Sequence, residues 1–322
     1  MRHTSVAWDM KVSCKVHGSD REFKVAPRIV SYYNCTLFVL DRMKILSRTF
    51  LRTASVFIYI QEVDQMNFLP ELSEVKKIAA TNKYNVVPVS CELLSDFTTP
   101  IETMKILKNV STHCYMLESA WANDKWGRYT FLGFDPKMEI TCIDGEIKAG
   151  NIRIKTDNPS DYLRQILADY KSPRFPYLPS FTGGLVGYFS YDYLGYSEPA
   201  VRCKVEDTED FKDVDLMLFD KVIAFDNVRQ KLILIVNMPL QDVEVGYNKA
   251  VMELKQLVDL LHNGKKKEEP GGKLLGEVTP LFNKEQYCDM VEKAKHYIRE
   301  GDIFQIVLSN RLSAPFEGSL LN

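Results

Sequence analysis

The sequence is poor in the residue types that build disulfide frameworks and metal centres. Its 322 residues include 7 Cys, 5 His and 3 Trp. The cysteines are scattered, odd in number and never form a Cys-x-x-Cys pair, which argues against disulfides or a zinc site and indicates reduced, buried thiols in a cytoplasmic protein. The His residues are equally dispersed. A metal centre built from Cys and His is therefore not expected.

Charge and hydropathy argue against two classes of partner. The 41 Lys and Arg residues are balanced by 43 Asp and Glu residues, giving a formal net charge of −2. This balance lacks the basic excess that is typical of nucleic-acid binding. No apolar run approaches the length of about 20 residues that a helix needs to cross a bilayer. We therefore expect neither a nucleic-acid nor a membrane partner.

The first 65 residues differ in composition from the remainder. They carry ten Lys or Arg against six Asp or Glu, and their apolar runs at 36–40 and 55–60 follow no clear period. Three interpretations are open: an additional structural element, an organelle transit peptide, or an extension ahead of the natural start. Acidic residues argue against a transit peptide, namely Asp9, Asp20, Glu22 and Asp41. We predict a disordered extension, with Met66 as the natural initiator.

Periodicity and capping residues predict the elements of the remaining chain. Thr99 and Glu102 form a capping box, and Asn283 and Gln286 form a second one. Helices are predicted over 72–81, 100–108, 159–170, 247–262 and 284–300. Strands are predicted over 86–93, 114–120, 128–134, 216–225, 231–236 and 303–308, the last of the buried kind, with a further hairpin over 138–147 turning at Asp144-Gly145.

Hairpins outnumber strand–helix–strand units in this pattern, which predicts an α+β fold: an antiparallel β-sandwich with external helices. The glycines of residues 182–191 lack the Lys-Ser/Thr and the following helix of a phosphate loop, so they predict close approach of another backbone. Residues 265–273 (Lys-Lys-Lys-Glu-Glu-Pro-Gly-Gly-Lys) are the best candidate for a linker. We expect this linker to be a solvated tether at a module boundary.

The stretch from Leu117 to Pro136 contains polar and charged residues that are unusual for a hairpin. A turn at 123–125 would join two strands that carry Glu118, Ser119 and Arg128 among mostly apolar neighbours. A carboxylate can bind the ammonium of a zwitterion while a guanidinium binds its carboxylate. An edge hairpin with solvated charges is the alternative.

Leu117-Glu-Ser followed by Trp126-Gly-Arg-Tyr-Thr-Phe-Leu-Gly resembles the large component of anthranilate synthase, component I. Further segments agree with that family in the same order, and several colinear matches make accident improbable. These segments are Asn85-Val-Val-Pro-Val-Ser90, Phe181-Thr-Gly-Gly-Leu-Val-Gly-Tyr-Phe-Ser-Tyr-Asp192, Leu218-Phe-Asp-Lys-Val-Ile-Ala-Phe-Asp226 and Gly301-Asp-Ile-Phe-Gln-Ile-Val-Leu-Ser309. The resemblance covers residues 66–317.

The resemblance implies the fold of chorismate-utilising enzymes, here incomplete because the family continues beyond Asn322. We expect a chain truncated before most of the catalytic region. The predicted divisions are 1–65 (outside the family), 66–264 (the component I N-terminal region), 265–280 (a linker) and 281–322 (the start of the chorismate-binding domain).

The resemblance also implies an activity. The full-length family enzyme is a lyase that forms anthranilate and pyruvate from chorismate with Mg²⁺, the first step of tryptophan biosynthesis. Its ammonia comes from glutamine through a glutamine amidotransferase subunit, component II. Gln305 would be a catalytic residue that orients ammonia, or would only satisfy a buried backbone group. The Mg²⁺ ligands would lie beyond Phe316, so none is expected in this chain, and the chain alone is expected to be inactive.

In that family the Leu-Glu-Ser element belongs to a feedback site for L-tryptophan as inhibitor. Ser119 is expected to hydrogen-bond the bound amino acid, Glu118 to lie near its ammonium, and Arg128 to align with a basic residue of the regulatory site. Ser119 as a strand hydroxyl bonding a neighbouring backbone is the alternative. Two other functions are open for the chain: aminodeoxychorismate synthase component I, and a non-catalytic tryptophan-binding or regulatory fragment.

Overall fold

A computed structural model describes most of the chain. The described residues are the strand residues 12–16 and 19–23, followed by 66–119, 127–201 and 211–321. The chain divides into two units, Met1–Gln65 and Met66–Asn322. In the first unit, strands β1 (Val12–Val16) and β2 (Ser19–Phe23) pair antiparallel. The predicted extension otherwise lies outside the described residues.

The described part of the second unit contains two five-stranded sheets. Sheet I consists of β3 (Val86–Leu94), β4 (Cys114–Leu117), β5 (Tyr129–Phe134), β11 (Lys221–Asp226) and β12 (Lys231–Pro239). Sheet II consists of β6 (Met138–Ile143), β7 (Glu146–Ala149), β8 (Ile152–Lys155), β9 (Gly184–Phe189) and β10 (Val214–Phe219). The strand order is β3-β12-β11-β5-β4 in sheet I and β8-β7-β6-β10-β9 in sheet II.

Helices and short strands complete the unit. The helices are α1 (Leu72–Ala80), α2 (Pro100–Val110), α3 (Pro159–Asp169), α4 (Leu194–Ser197), α5 (Val243–Asn263) and α6 (Lys284–Glu300), with 3₁₀ turns at Tyr191–Tyr193 and Pro199–Val201. The short strands are β13 (Lys273–Leu274), β14 (Thr279–Pro280), β15 (Leu312–Ser313) and β16 (Phe316–Glu317). Within this part of the chain, no helix has the length and apolar composition that a bilayer crossing requires.

The pairing of the strands confirms the predicted fold class. Every named strand pair among the described residues is antiparallel. Two local predictions are also confirmed in full, the turn at Asp144-Gly145 and the capping box of α6, while the box predicted at Thr99 and Glu102 is present only as the Thr99 cap. Asp144 (φ 49°) and Gly145 (φ 76°) form the two-residue turn between β6 and β7, both in the left-handed region that a type I′ turn requires. The Thr99 side chain caps α2, and Asn283 with Gln286 forms the complete capping box of α6.

Sheet I is buried on both faces at its centre. β12 is buried from Leu232 to Met238, and β11 from Val222 to Asp226. On one face, Val222 and Ile233 belong to a cluster packed against aromatic side chains of the loop that precedes β9. Helix α5 contacts β12 and β3. Apolar side chains at successive positions are therefore buried on both faces of the sheet. Burial of apolar surface is the main stabilising term in folding.

Sheet II is buried on one face. Its strand β7 alternates exposed and buried residues, while β8 is exposed at all four positions. The buried side chains of β6, β7 and β10 pack with Leu163 and Ile166 of α3. Gly187 confirms the prediction of close backbone approach, since a Cβ atom there would lie 2.0 Å from the carbonyl oxygen of Asp215.

The chain crosses between the sheets twice, and one crossing corrects a prediction. The single strand predicted over 216–225 is two strands: β10 in sheet II ends at Phe219, and β11 in sheet I starts at Lys221. The run is apolar on both sides of the charged pair Asp220-Lys221, and such a pair does not by itself indicate a change of sheet. At this crossing, Asp220 forms ion pairs with Lys221 (3.6 Å) and Lys137 (3.1 Å). Because Lys137 lies between β5 and β6, the second ion pair links the two crossings.

Other predictions are wrong or incomplete. Residues 303–308 form no strand and are largely exposed, with Phe304 at 102% relative exposure, because nothing in the described chain covers this apolar run. Strand β8 was not predicted. Of the cysteines with described side chains, Cys91 and Cys142 are buried as predicted, but Cys288 is exposed on α6. The predicted linker contains β13 and β14, which pair with β16 and β15.

Candidate functional site

The predicted site residues lie where the edge of sheet I ends. The edge strand β4 pairs with β5 from Cys114↔Phe134 to Leu117↔Phe131. Glu118 and Ser119 follow β4 and are exposed, and Arg128 precedes β5. The prediction that all three lie on the strands is therefore wrong by one or two residues, because the ladder ends before the polar residues. The predicted turn at 123–125 and Trp126 lie outside the described residues.

The structure nevertheless brings the three predicted residues to one cavity. This open space of about 670 Å³, the edge cavity, receives side chains from the end of β4, the start of β5 and the loop before β9. It is lined by Met116, Leu117, Glu118, Ser119, Gly127, Arg128, Tyr129, Phe131 and Ser180. One wall is thus polar and charged, and another is aromatic.

Arg128 is held by a partner that the sequence reasoning missed. Its Nε donates to Oδ1 of Asp226 (3.0 Å), and its Nη2 donates to Oδ2 of the same carboxylate (2.7 Å). The Asp226 side chain is fully buried, whereas that of Arg128 is 34% exposed. The Arg128 guanidinium also lies over the Tyr129 ring, 4.9 Å from its centroid. A bidentate pair of this kind fixes the plane of the guanidinium.

Asp226 stays ionised in this setting. Burial raises the pKa of Asp226, but hydrogen bonds from Arg128 and from the backbone N–H groups of Arg229 and Val228 outweigh this effect, so its pKa lies below the ordinary value. The backbone donors reach Oδ1 at 3.1 Å and 3.2 Å. The carboxylate is therefore a permanent counter-charge to Arg128 at neutral pH.

Glu118 is linked to the same part of the fold. Thr130, buried on β5, donates its hydroxyl to Oε1 of Glu118 (3.4 Å). The Thr130 hydroxyl in turn accepts a hydrogen bond from Nδ2 of Asn227 (3.2 Å). The acidic and the basic side chain of the edge cavity are thus both connected to the end of β11, through Asn227 and Asp226 respectively.

The aromatic wall continues into the interior. Tyr129 and Phe131 lie on β5 with ring centroids 5.7 Å apart, and Phe181 meets Phe131 edge-on at 5.5 Å. Burial, with a contribution from the Asp226 charge, raises the pKa of the Tyr129 hydroxyl, so this residue stays neutral. Flat apolar surfaces beside a charged pair suit a ligand with one ionic end and one aromatic end.

Gln305 is not part of this cavity. It lies in the exposed segment after α6, and its catalytic role stays a prediction. The described residues also contain no group of three His, Cys, Asp or Glu side chains that could hold a metal ion. The described residues therefore offer no set of side chains that fits Mg²⁺.

Asp226, Thr130, Asn227 and Ser180 were missed as site residues. For Asp226 the partner is far away in sequence, since 98 positions separate it from Arg128. One signal was available. Asp226 ends a strand and directly follows the apolar run 222–225, and a carboxylate in such a position needs a cation or hydrogen-bond donors.

Comparison with known proteins shows the family of the chain. The chain matches the family of chorismate binding enzymes over residues 112–322, which include the whole edge cavity. The chain belongs to this family. It is 35% identical to anthranilate synthase component 1 of Acetivibrio thermocellus over 76% of its own length, and 32% identical to that of Saccharomyces cerevisiae, again over 76%.

A solved structure supports the fold of this chorismate-binding enzyme chain. Anthranilate synthase component I from Streptococcus pneumoniae TIGR4 aligns with a TM-score of 0.50 and 26% identity over 71% of this chain. The alignment covers 50% of the solved chain. Coverage of the two curated relatives is similar, at 51% and 50% of their lengths. The chain thus spans about half the length of the relatives that it matches.

Proposed function

We propose that the chain acts as part of an anthranilate synthase large component and that its edge cavity binds L-tryptophan. The observation that carries the proposal is the composition of one cavity: a carboxylate (Glu118), a hydroxyl (Ser119), a guanidinium (Arg128) and two aromatic rings. An aromatic amino acid has the matching groups. Similarity to proteins named anthranilate synthase component 1 supports the reaction.

Each group has a defined part in this proposal. Glu118 binds the ammonium of tryptophan, and the guanidinium of Arg128 binds its carboxylate through charge-assisted hydrogen bonds. Tyr129 and Phe131 contact the indole ring, and Ser119 hydrogen-bonds the amino acid. Because an amino acid that fits the cavity is the end product of the proposed pathway, its binding would constitute feedback inhibition in the enzyme.

The proposal includes the wider reaction. The enzyme forms anthranilate and pyruvate from chorismate, with ammonia supplied from glutamine by an amidotransferase subunit, and works in the cytoplasm. Mg²⁺ belongs to the proposal through the resemblance alone, since the described residues offer no site for it. Chorismate binding is supported by the family match over residues 112–322.

Calorimetric titration of the 322-residue chain with L-tryptophan tests the cavity. We expect the wild-type chain to bind and Ser119→Arg to bind at least about tenfold more weakly, because a bulky cation would fill the space beside Arg128. Ser73→Arg makes the same change at an exposed position on α1, outside the cavity, and should bind like wild type. Absence of binding by the wild-type chain, or wild-type affinity in Ser119→Arg, would contradict the proposal.

A second experiment addresses catalysis by the chain alone. The pure chain is mixed with chorismate, ammonia and Mg²⁺, and anthranilate is followed by its fluorescence. We expect no product, since the chain spans about half of the relatives it matches. A full-length relative serves as the positive control. Anthranilate formation by the chain alone would refute this part of the proposal, and tryptophan binding without turnover would separate sensing from catalysis.

A further inference from the structure

We infer that the last residue of β11 together with the turn that leads to β12 (residues 226–230, called the connection) positions both charged side chains of the edge cavity, and that Asp226 is the positioning residue for carboxylate recognition by Arg128. This inference rests on the proposed tryptophan site and extends it to residues that do not line the cavity. Asp226 and Asn227 are absent from the cavity lining and act through Arg128 and Glu118.

The connection holds Arg128 at three points. Both carboxylate oxygens of Asp226 accept from the guanidinium, at 3.0 Å and 2.7 Å. The backbone N–H of Asn227 donates to the Arg128 carbonyl (2.9 Å). Backbone and side chain of Arg128 are therefore both tied to the same five-residue segment. Since a guanidinium is planar, fixing two of its N–H groups also fixes the direction of the others.

The same segment reaches Glu118 by a relay. Asn227 Nδ2 donates to the Thr130 hydroxyl (3.2 Å), which donates to Glu118 Oε1 (3.4 Å). Asn227 is itself exposed, and Thr130 is fully buried. The relay leaves the Thr130 proton directed at the Glu118 carboxylate, because the hydroxyl accepts from Asn227 on its other side. The separation of acid and base in the cavity is thus set from one connection.

The connection is suited to this role because its two ends are rigid. It leaves the buried strand β11 and enters the buried strand β12, and Asp226 pairs with Lys231 across its base. The Asp226 carboxylate also accepts from two backbone N–H groups of the connection, those of Val228 and Arg229. The Asp226 carboxylate is therefore held in place by the turn that follows it and by two buried strands, and it can fix the orientation of the partly exposed Arg128 side chain.

The decisive experiment compares two ligands on Asp226→Asn. Positioning of Arg128 affects recognition of a carboxylate, so L-tryptophan should bind about tenfold more weakly, the order expected for loss of a charge-assisted hydrogen bond. L-Tryptophanamide keeps the ammonium and indole but lacks the carboxylate, so its affinity should change less than twofold. A general loss of structure would weaken both ligands equally. Equal weakening, unchanged affinity or tighter tryptophan binding would each overturn the inference.

Two further variants test whether the loss of affinity comes from the positioning of Arg128 and Glu118 or from a general disturbance of the connection. Glu92→Gln removes the ion pairs from β3 to Arg229 (3.1 Å) and Lys231, at the same connection but away from the cavity, and should leave both affinities unchanged. Asn227→Ala changes an exposed residue, so the fold should persist, and it should weaken both ligands about threefold, because both carry the ammonium that Glu118 binds. A tenfold loss in Glu92→Gln, or no loss in Asn227→Ala, would count against the inference.

A measurement without ligand separates this inference from the proposed function. The Nε–H proton of Arg128, bonded to Asp226, should exchange slowly in NMR spectra of the wild type and Glu92→Gln, and rapidly in Asp226→Asn. Slow exchange in Asp226→Asn overturns the inference whatever tryptophan does. If the wild type binds no tryptophan while Nε–H protection depends on Asp226, the proposed function fails and the positioning of Arg128 stands.

Discussion

Sheets I and II have the same number of strands, but they are buried differently. The strands β11 and β12 of sheet I are buried at nearly every position, whereas β7 of sheet II alternates and its edge strand β8 is exposed throughout. Sheet I is covered by helix α5 and by an aromatic cluster, and sheet II packs its buried side chains against α3. The difference shows which part of the fold can hold a site rigidly.

The edge cavity lies on sheet I, the more completely buried of the two. Its charged side chains flank β4 and β5, and their partners lie on β5 (Thr130) and at the end of β11 (Asp226), both at buried positions of sheet I. Sheet II contributes no strand residue to the cavity lining. We conclude that two-sided burial of sheet I is what allows half-exposed residues at its edge to keep a defined geometry.

The largest expected effect is the loss of unfolding free energy when a large apolar side chain of sheet I is truncated, compared with the same truncation in sheet II. Ile233→Ala, at a fully buried position of β12, should lower the free energy of unfolding by about 3 to 4 kcal/mol. Ile152→Ala, at a 53% exposed position of β8, should cost less than about 1 kcal/mol. Urea unfolding followed by circular dichroism measures both. Similar losses in the two sheets would break the comparison.

A smaller effect is expected from glycine in sheet II. Gly187→Ala would place a Cβ atom 2.0 Å from the Asp215 carbonyl at φ 154°, and we expect a loss of about 3 kcal/mol from the required backbone shift. Gly150→Ala, with φ 56° and no neighbouring atom within 4 Å, should cost only about 1 kcal/mol of backbone strain. Thermal unfolding of the two variants measures whether the close backbone contact or the positive φ accounts for the loss of stability. Equal losses in the two variants would assign the effect to the positive φ, which both positions share.

The smallest of these effects is a pH dependence at the boundary of sheet I. Because the pKa of Asp226 is lowered in the fold, its stabilising contribution is present above the unfolded-state pKa of about 4 and is lost as the pH falls through the folded-state pKa. Asp226→Asn should therefore cost about 2 kcal/mol at neutral pH. The difference from wild type should shrink in acid.

Urea unfolding at a series of pH values measures this difference. Glu92→Gln changes a side chain that is 33% exposed; it is the control and should cost less than about 1 kcal/mol at every pH. A gap between wild type and Asp226→Asn that stays constant down to pH values well below 4 would contradict the assignment of the effect to the Asp226 charge.

Local signals predicted much of the fold. Capping residues located α2 and α6, and Asp144-Gly145 located a hairpin turn, because these signals act within a few residues. Apolar runs were less informative. The run around Asp220 is divided between two sheets, and the run at 303–308 is exposed, since composition does not tell which surface an apolar segment meets.

The amino-acid sequence by itself determined the antiparallel class, the N-terminal caps of α2 and α6, the turn at Asp144-Gly145, and the three side chains that meet at the edge cavity. Only the tertiary structure decided that Arg128 is paired with Asp226 and that Glu118 is linked to Asn227 through Thr130. The reason is physical. Caps and turns depend on hydrogen bonds between residues close in sequence, whereas the ion pair forms between strands that become neighbours only when β5 and β11 align in sheet I.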